Sequence, residues 1–312
     1  MPRSNFQIVT EKDINSGSIS HGRLRPWQAE EFHMQTFEAT PLAKAMRHEI
    51  HVEKSGEIDR IGVNKRIIRE TTEGVDDGYR VGVNFGGISY QTHRVRAPWE
   101  CTEQFFEENK EGEKIGQKLM SLMTNQVACD VEDSEINGDE AISASNPDYE
   151  FLKINDGFIK KITTGGHLLD AGQSTSYGGH IDYTVFSALL KSLPSKHRTA
   201  GLRWLMSPTR LLDWNEYLLG KAVNSGGIVP DSFYDSPFKI PTIEVPNMPD
   251  GTILLADPQN LVDIRTLNMR IRKDDQSVHA MYKEKRYYVI ILDFDCVIEE
   301  IDATGIVTGL AI

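Results

Sequence analysis

The stretch TEQFFEENKEGEKIGQKLMSLMTNQVACDV (residues 102–131) carries the strongest structural signal in the chain, because its pattern predicts one long helix. Thr102 can cap this helix, and glutamates fill its first turns, where the helix dipole favours acidic side chains. The apolar residues that recur at helical spacing are Ile115, Leu119, Leu122, Met123, Val127 and Val131. Asn137-Gly138 marks the end. A helix of roughly 30 residues is about 45 Å long, so we expect other elements to pack along it.

The length and amino-acid composition of the chain favour a soluble globular protein. The chain has 312 residues, of which 39% are hydrophobic, and this is enough for one large core or two ordinary ones. It contains neither the roughly 18 consecutive apolar residues of a membrane helix nor a signal-peptide pattern. Three cysteines without CxxC spacing suggest neither a disulfide framework nor a zinc site, which favours a reducing cytoplasm. The net charge of −12 argues against tight nucleic-acid binding.

Two segments before the long helix have little means of burying themselves. Residues 1–48 lack periodicity but contain Trp27 and Phe32, which predicts an extended arm docked on another surface. Residues 49–95 have strand character around Asp77-Gly78, a strong hairpin signal. A two-stranded hairpin is only marginally stable alone, so we expect it to reach across a polar surface. An alternative is a solvated hairpin over its own domain. The charged residues on which the first interpretation depends are Arg60, Lys65, Arg66, Arg69, Glu70 and Arg80.

The segment 161–256 alternates helices with strands and predicts a compact α/β module. Asp182 is placed to cap a helix, LRWLM (202–206) predicts a short buried strand, and Ser207-Pro208 opens a second helix. A loop rich in glycine, proline and serine follows at 221–238.

The last part of the chain returns to strand periodicity. Its alternating apolar residues are Tyr288, Ile290, Leu292, Phe294, Cys296 and Ile298. The apolar stripe of the long helix is the expected partner of this face. Asp293 and Asp295 share the opposite face, which we interpret as the polar outer side of an antiparallel sheet and not as a catalytic pair.

No motif predicts catalysis. Neither a P-loop nor a dinucleotide-binding fingerprint is present. His48 and His51 have the spacing H-x-x-H, but they lack a third ligand and would face opposite sides of a strand. Cys101 precedes the long helix, where a thiol pKa can fall, yet no histidine partner is identifiable. We therefore predict no catalytic residue, no cofactor and no metal site.

The order of these parts resembles a tailed-phage major capsid protein of the Hong Kong 97 type. RAPWECTEQFFEE (96–108) resembles the family's entry into its spine helix, and SEINGDEA (134–141) resembles the exit. RWLMSPTRLLDWNEYL (203–218) is similar to the axial-domain strand and helix. VPNMPDGTILLADPQNLVDIRTLNMRIRKD (245–274) is similar to the return towards the peripheral domain.

The resemblance implies an α+β fold in which a long spine helix packs on a long-stranded antiparallel sheet. Residues 1–48 would be the N-terminal arm and 49–95 the extended hairpin loop. The peripheral domain would comprise 96–160 and the return strands 257–312, with the axial domain at 161–256. Trp27, Phe32 and the charged hairpin residues would then contact neighbouring subunits.

The implied function is that of the major capsid protein of a tailed double-stranded DNA bacteriophage. Such a protein assembles in the host cytoplasm into pentamers and hexamers of an icosahedral head and resides in the virion. The resemblance implies three further partners, namely a portal, a scaffolding protein and a decoration protein. The scaffolding protein would be a separate chain, because no N-terminal helical scaffolding segment is present. DNA would be enclosed without sequence-specific binding, and no membrane would be involved.

Some members of this family join subunits through a Lys–Asn isopeptide bond. Lys54 and Lys65 could serve as loop lysines, but no asparagine follows Asn268, so we predict no crosslink. Two alternatives remain open. One is an encapsulin-like nanocompartment that holds a cargo enzyme, and the other is a cytosolic α/β enzyme with its site near 220–238, which leaves the arm and hairpin unexplained.

Overall fold

A computed structural model describes residues 33, 34, 36, 40–62, 66–70, 78–108, 114–172, 177, 179–225 and 236–311. The helices are α1 (Pro41–Ala45), α2 (Glu103–Glu108), α3 (Lys114–Asn137), α4 (Tyr149–Leu152), α5 (Phe158–Gly165), α6 (Tyr183–Ser192), α7 (Pro208–Ser225) and α8 (Val278–Lys283). The strands are β1 (Arg47–His51), β2 (Ser55–Gly62), β3 (Asn84–Gln91), β4 (His93–Thr102), β5 (His167–Asp170), β6 (Arg203–Met206), β7 (Thr242–Glu244), β8 (Ile253–Ala256), β9 (Leu261–Thr266), β10 (Arg270–Asp274), β11 (Lys285–Ile298) and β12 (Gly305–Thr308). Within these ranges no helix combines the length and apolar character needed to span a membrane.

The first sheet is built around the long strand β11. Strand β4 pairs antiparallel with one edge of β11, while β10 and then β9 pair antiparallel with its other edge. Strand β1 adds to β9 in parallel register. The predicted long terminal strand is therefore the centre of this sheet and not its edge.

Helix α3 packs on this sheet as its apolar stripe predicts. Val127 and Val131 of the predicted stripe share one buried cluster with the apolar face of β11, together with Met120, which the predicted stripe did not include. The expectation for Leu122 is wrong, since it is 60% exposed. At 3.6 residues per turn it lies about 200° around the axis from Met120. Thr102 directly precedes α2 and is also the last residue of β4, because the ladder with β11 continues to the pair Thr102–Lys285. Its role as a helix cap stays a prediction.

A second sheet has the strand order β5, β12, β8, β6, β7 and forms the α/β module. The predicted caps are confirmed: the Asp182 carboxylate accepts from the first N–H groups of α6, and Ser207 Oγ accepts from Arg210 N–H in α7. Phe186 meets Trp204 and Trp214 edge to face in the core of this module.

The end of the chain departs from the expectation that 257–312 lies wholly with the return strands. Strand β12 pairs with β5 and β8, so it belongs to the second sheet. Its neighbours Ile306 and Val307 point to opposite faces and are buried in different clusters. This burial on both faces gives the short strand a place in the interior of the module.

Strands β2 and β3 form the hairpin, with register from Ser55–Gln91 to Gly62–Asn84. Asp77 of the expected turn lies outside the described residues. At the base of the hairpin, Ile58, Ile88 and Tyr90 pack on Val262 and Ile264 of the first sheet. The base thus lies on its own subunit, as the alternative interpretation proposed, while 66–70 and 78–83 continue beyond the ladder.

Helix α3 ends where the backbone of the following segment crosses closely. A Cβ at Gly138 would overlap the carbonyl oxygens of Ser134 and Asn155. Gly157 is equally restricted by the carbonyls of Glu135 and Ile136. Gly116, by contrast, lies in the same helix with no atom within 4 Å of an added Cβ.

These two glycines of one chain predict opposite responses to alanine. Gly138→Ala should lower the free energy of unfolding by about 1–3 kcal/mol, because the backbone must shift to admit the methyl group. Gly116→Ala should raise it by up to about 1 kcal/mol through helix propensity alone. Urea denaturation of the unassembled subunit measures both, and a Gly138→Ala subunit as stable as the wild type would contradict the close-crossing account.

Candidate assembly surfaces

A cluster of arginines surrounds Tyr79 in the outer part of the hairpin. The Arg69 guanidinium lies over the Tyr79 ring, 3.5 Å from its centroid. Tyr79 Oη donates to the carbonyl of Arg66 at 2.8 Å, and Arg80 Nη1 donates to the carbonyl of Tyr79 at 2.9 Å. The structure therefore brings together three arginines predicted from the sequence, around a tyrosine that the sequence analysis did not single out.

Two isoleucines lie exposed between these arginines. Ile67 is 63% and Ile68 is 93% exposed. Glu70 beside them is also exposed. At this exposure Ile68 gains almost nothing from the folding of its own subunit, and Ile67 gains only part of what burial would give. The signal available in the sequence was the motif RIIRE, in which apolar residues lie between charges instead of alternating with them.

The other predicted contact residues are less informative. Arg60 is ion-paired with Glu300 of the same chain. Trp27, Phe32 and Lys65 lie outside the described residues. An intersubunit role for these four residues stays a prediction.

The face of β11 that was predicted to be solvated is buried. The Asp293 side chain has no exposed surface, and its oxygens accept from Arg94 Nε at 2.8 Å and Nη2 at 3.1 Å. Lys54 Nζ lies 3.5 Å from Asp293 Oδ2. Burial alone would raise the pKa of Asp293, but Arg94 and Lys54 outweigh it and hold the pKa below its usual value. The prediction of a polar outer face is wrong here because the hairpin base covers it.

Asp295 holds the end of β3, the second strand of the hairpin, on this face. Its Oδ2 accepts the backbone N–H of Gln91 at 2.9 Å, and Lys161 Nζ lies 3.6 Å from Oδ1. The next residue, Cys296, is wholly buried, and burial raises the pKa of its thiol. These acids hold elements in place and are not arranged as a general acid and base.

A second charged cluster lies where β9 meets α3 and β1. Asp263 is wholly buried, with Arg265 Nε at 2.9 Å and His48 Nδ1 at 3.0 Å from its Oδ2. Burial would raise the pKa of Asp263, but Arg265 and His48 outweigh it and hold the pKa well below its usual range. Asp263 is therefore an anion that is paired with Arg265 and lies beside the His48 imidazole.

Glu135 of α3 contributes a proton to this cluster. Its carboxyl is wholly buried and hydrogen-bonded to Asp263. Two carboxylates can share a hydrogen bond only when one of them is protonated. Burial, and then the charge of Asp263, raise the pKa of Glu135 well above its usual value, so Glu135 is the member that keeps the proton.

The C-terminal end of the predicted arm docks on this cluster. Thr40 Oγ1 donates to Glu132 Oε2, which also accepts the Ala43 N–H at 3.2 Å. Arg265 Nη1 donates to Thr36 Oγ1. His33 Nε2 lies 3.2 Å from the carbonyl of Thr266, and burial together with Arg265 lowers the pKa of His33 to about 4. This part of the arm is bound within its own subunit.

The H-x-x-H residues lie on opposite faces of β1, as predicted. His51 stacks on Tyr90, 4.9 Å between ring centroids, and Nε2 is 3.1 Å from Glu49 Oε2. Among the residues that the structure describes, no group of three histidine, cysteine, aspartate or glutamate side chains is arranged to hold a metal ion. Cys101 lies in β4, and burial raises the pKa of its thiol.

Replacing Glu135 tests the buried proton. Because the folded-state pKa of Glu135 is raised, the folded protein binds more protons than the unfolded one, and stability falls as pH rises from about 4.5 through that pKa. Glu135→Gln keeps a donor for Asp263 without a titrating proton. We expect its free energy of unfolding at pH 8 to be higher than that of the wild type by up to about 1 kcal/mol.

Chemical denaturation between pH 5 and pH 8 measures this difference. Glu216→Gln, at an exposed position of α7, is the matched control and should follow the wild-type profile. A Glu135→Gln subunit that loses stability in parallel with the wild type would show that Glu135 is not the titrating group.

Comparison with known proteins agrees with this architecture. No family model matches the chain. A Bacillus subtilis (strain 168) protein named "Putative prophage capsid protein YqbE" is 24% identical over 321 residues, covering 96% of this chain and 97% of the relative. The match therefore extends over almost the whole of both chains.

Solved structures share the fold at low sequence identity. The satellite phage P4 procapsid with size determination (Sid) protein matches with a TM-score of 0.68 at 13% identity, over 91% of this chain and 99% of that one. The SrpI encapsulin of Synechococcus elongatus PCC 7942 matches with a TM-score of 0.55 at 12% identity, over 88% and 89%. The α+β fold predicted from the sequence is confirmed: the chain has the Hong Kong 97-type fold, and its sequence is similar to that of a prophage capsid protein.

Proposed function

We propose that this chain assembles into pentamers and hexamers that close into an icosahedral head around packaged double-stranded DNA. The observation that carries the proposal is the outer hairpin, where Ile67 and Ile68 are exposed among Arg66, Arg69 and Arg80 in a capsid fold. A surface on which apolar side chains are exposed among cationic ones suits a contact with another copy. A contact between unlike surfaces of identical copies repeats around a ring until the ring closes.

In the proposed shell, the two sheets correspond to two domains of the subunit, and the arm and the extended loop precede them in the chain. Residues 1–48 form the arm, 49–95 the extended loop, 96–160 with most of 257–312 the peripheral domain, and 161–256 the axial domain. Strand β12, at the end of the chain, joins the axial domain. Each extended loop lies on the peripheral domain of a neighbour, and each arm contacts adjacent subunits.

The net negative charge of the chain supports a shell that does not bind its DNA tightly. With 46 acidic and 34 basic residues, the subunit lacks the excess of cations that strong phosphate binding requires. DNA is enclosed without sequence-specific contacts, and the role is structural and not enzymatic. The partners we propose are a portal, a separate scaffolding protein and a decoration protein. The absence of a Lys–Asn crosslink stays a prediction, with Lys54 beside Asp293.

A second candidate is an encapsulin-like shell around a protein cargo, which the match to the SrpI encapsulin favours. The prophage relative and the higher TM-score of the phage P4 procapsid support the phage head over this candidate. We do not propose the cytosolic enzyme, whose expected site at 220–238 lies largely outside the described residues.

Self-assembly is the direct test of the proposed function. The protein expressed alone, and then with its genomic neighbours, should give closed shells, capsomers or tubes in negative-stain electron microscopy and sedimentation. DNA in the purified shells supports the phage head, whereas a protein cargo supports the encapsulin-like alternative. A monodisperse monomer or dimer in every preparation would exclude both.

The hairpin arginines should be needed for assembly but not for folding. Arg66→Glu with Arg69→Glu reverses the charge of the exposed cluster and removes the contact of Arg69 with Tyr79. We expect at least a tenfold lower yield of shells, since a charge pair that is lost and made repulsive exceeds about 1.4 kcal/mol per contact. Shell yield is measured by sedimentation, and folding by circular dichroism.

The control carries the same change of charge on a different surface. Lys191→Glu with Lys221→Glu alters two exposed positions of the α/β module and, like the hairpin pair, removes one cation that lies over a tyrosine ring. Equal losses of assembly in both variants would indicate a general effect of net charge and would argue against a specific role of the hairpin.

A further inference from the structure

The longest stretch of the chain without aspartate or glutamate is 183–212, in the α/β module. It contains five lysines and arginines, although the whole chain carries 46 acidic and 34 basic residues. Three of these cations, Lys196, Arg198 and Arg203, lie in the segment 194–203, which leads from α6 into β6. We use the name basic loop for residues 194–203. Its local charge is opposite in sign to that of the chain.

Backbone carbonyls hold both arginines of the basic loop. Arg198 donates to the carbonyl of Leu193 from Nε at 3.0 Å and from Nη2 at 2.8 Å. Arg203 Nη1 donates to the carbonyls of Ala200 and Leu202 at 2.9 and 2.8 Å. A carbonyl is a neutral acceptor, so these bonds orient the two guanidinium groups without neutralising them.

The cations of the basic loop have no carboxylate partner in the part of the chain that the structure describes. Arg94 and Arg265 of the first sheet each lie within hydrogen-bond distance of an aspartate, at 2.8 and 2.9 Å. Among the described residues, no such ion pair forms with Lys196, Arg198 or Arg203. A guanidinium has five N–H groups, so both arginines of the loop keep donors for a ligand.

His197, in the middle of the basic loop, reports the local excess of positive charge. Burial lowers the pKa of His197 most, and the charge of Lys196 lowers it next. Arg60 of β2 and His167 of β5 lower this pKa further, whereas Asp302 raises it. The cations around the loop therefore act together on the same imidazole.

Two aspartates approach the basic loop from other elements. Asp302 faces His197, and Asp257 lies against Gly201, where its Oδ2 would overlap an added Cβ. Asp257 is already engaged, because its Oδ1 accepts the Gln259 N–H at 3.1 Å. Three cations near two acids leave a small positive excess, which suits a weak contact with an anion.

We propose that the basic loop contacts the phosphate backbone of nucleic acid through Lys196, Arg198 and Arg203. The guanidinium fork matches the oxygens of a phosphate, and the orientation already fixed by the carbonyls lowers the ordering cost of binding. Contacts of this kind position a backbone and carry no sequence information. The identity of the ligand as packaged DNA rests on the proposed function, in which many weak contacts of identical subunits act together.

Binding of a fluorescently labelled DNA duplex to the unassembled subunit tests the contact. Lys196→Gln with Arg203→Gln removes two cations and keeps Arg198, whose bonds to the Leu193 carbonyl also stabilise the end of α6. Each lost phosphate contact reduces the slope of log affinity against log salt concentration by about 0.9. Fluorescence anisotropy between about 50 and 200 mM salt should therefore give a slope shallower by about 1.8 in this double variant.

Two further variants separate the basic loop from other effects. Arg272→Gln with Lys283→Gln removes the same two residue types from exposed positions of β10 and α8 and should keep the wild-type slope. Lys196→Gln alone changes one exposed side chain, which guards against a double variant that fails to fold, and should give a slope shallower by about 0.9. The proposal is overturned if the wild type does not bind the duplex at about 50 mM salt, or if Lys196→Gln and the control pair change the slope equally.

A polyglutamate peptide with the same number of negative charges distinguishes nucleic acid from an acidic protein segment. The wild-type subunit should bind the duplex more tightly, and tighter binding of the peptide would overturn nucleic acid as the partner. Shell formation is measured separately by sedimentation. Shells from a subunit whose salt slope ignores the loop variants would overturn the loop contact and leave the proposed function standing. Duplex binding through the loop without any shells would support the contact and contradict the proposed function.

Discussion

Buried carboxylates in the first sheet are paired with basic side chains, several of which come from other elements. Asp293 is paired with Arg94 of β4 and Lys54 at the base of the hairpin. Asp263 is paired with His48 of β1. Removing one partner of a buried ion pair costs about 3–5 kcal/mol, because the remaining charge is left without compensation. The sheet therefore fixes the positions of β1 and the hairpin by charge pairing as well as by apolar packing.

The hairpin shows how one element can be bound at one end and available at the other. Its base is secured by Tyr90 in an apolar cluster and by the Gln91 N–H on Asp295. Its outer part carries the arginines around Tyr79. It also carries Ile68, which is 93% exposed. A fixed base gives the outer part a defined direction before any partner is met, which lowers the ordering cost of a contact with a neighbour.

Periodicity in the sequence predicts which face of a helix or strand is apolar, but it does not predict which element covers that face. The stripe of α3 and the alternation of β11 each report a local face, and their mutual packing was predicted correctly. Asp293 lies on a face that looks solvated in the sequence, and only the return of a distant hairpin buries it. The pairing of β12 with β5 and the gathering of arginines around Tyr79 likewise depend on tertiary contacts that local spacing does not encode.

Apolar packing joins the two sheets and also holds the segment around Leu42 and Met46. One buried cluster combines Phe158 of α5 and Ile306 of β12 with Ile298 of β11, so apolar packing runs without a break from one sheet to the other. The chain also crosses between the sheets more than once, since β12 returns to the second sheet after β11 has completed the first. The same cluster contains Leu42 and Met46, and Glu132 adds a polar bond to the Ala43 N–H. Local opening has its lowest free energy where few apolar contacts are lost. A subunit of this kind keeps its two sheets and the segment around Leu42 as one body during assembly, and any rearrangement is therefore expected first in the outer hairpin, where Ile67 and Ile68 are exposed.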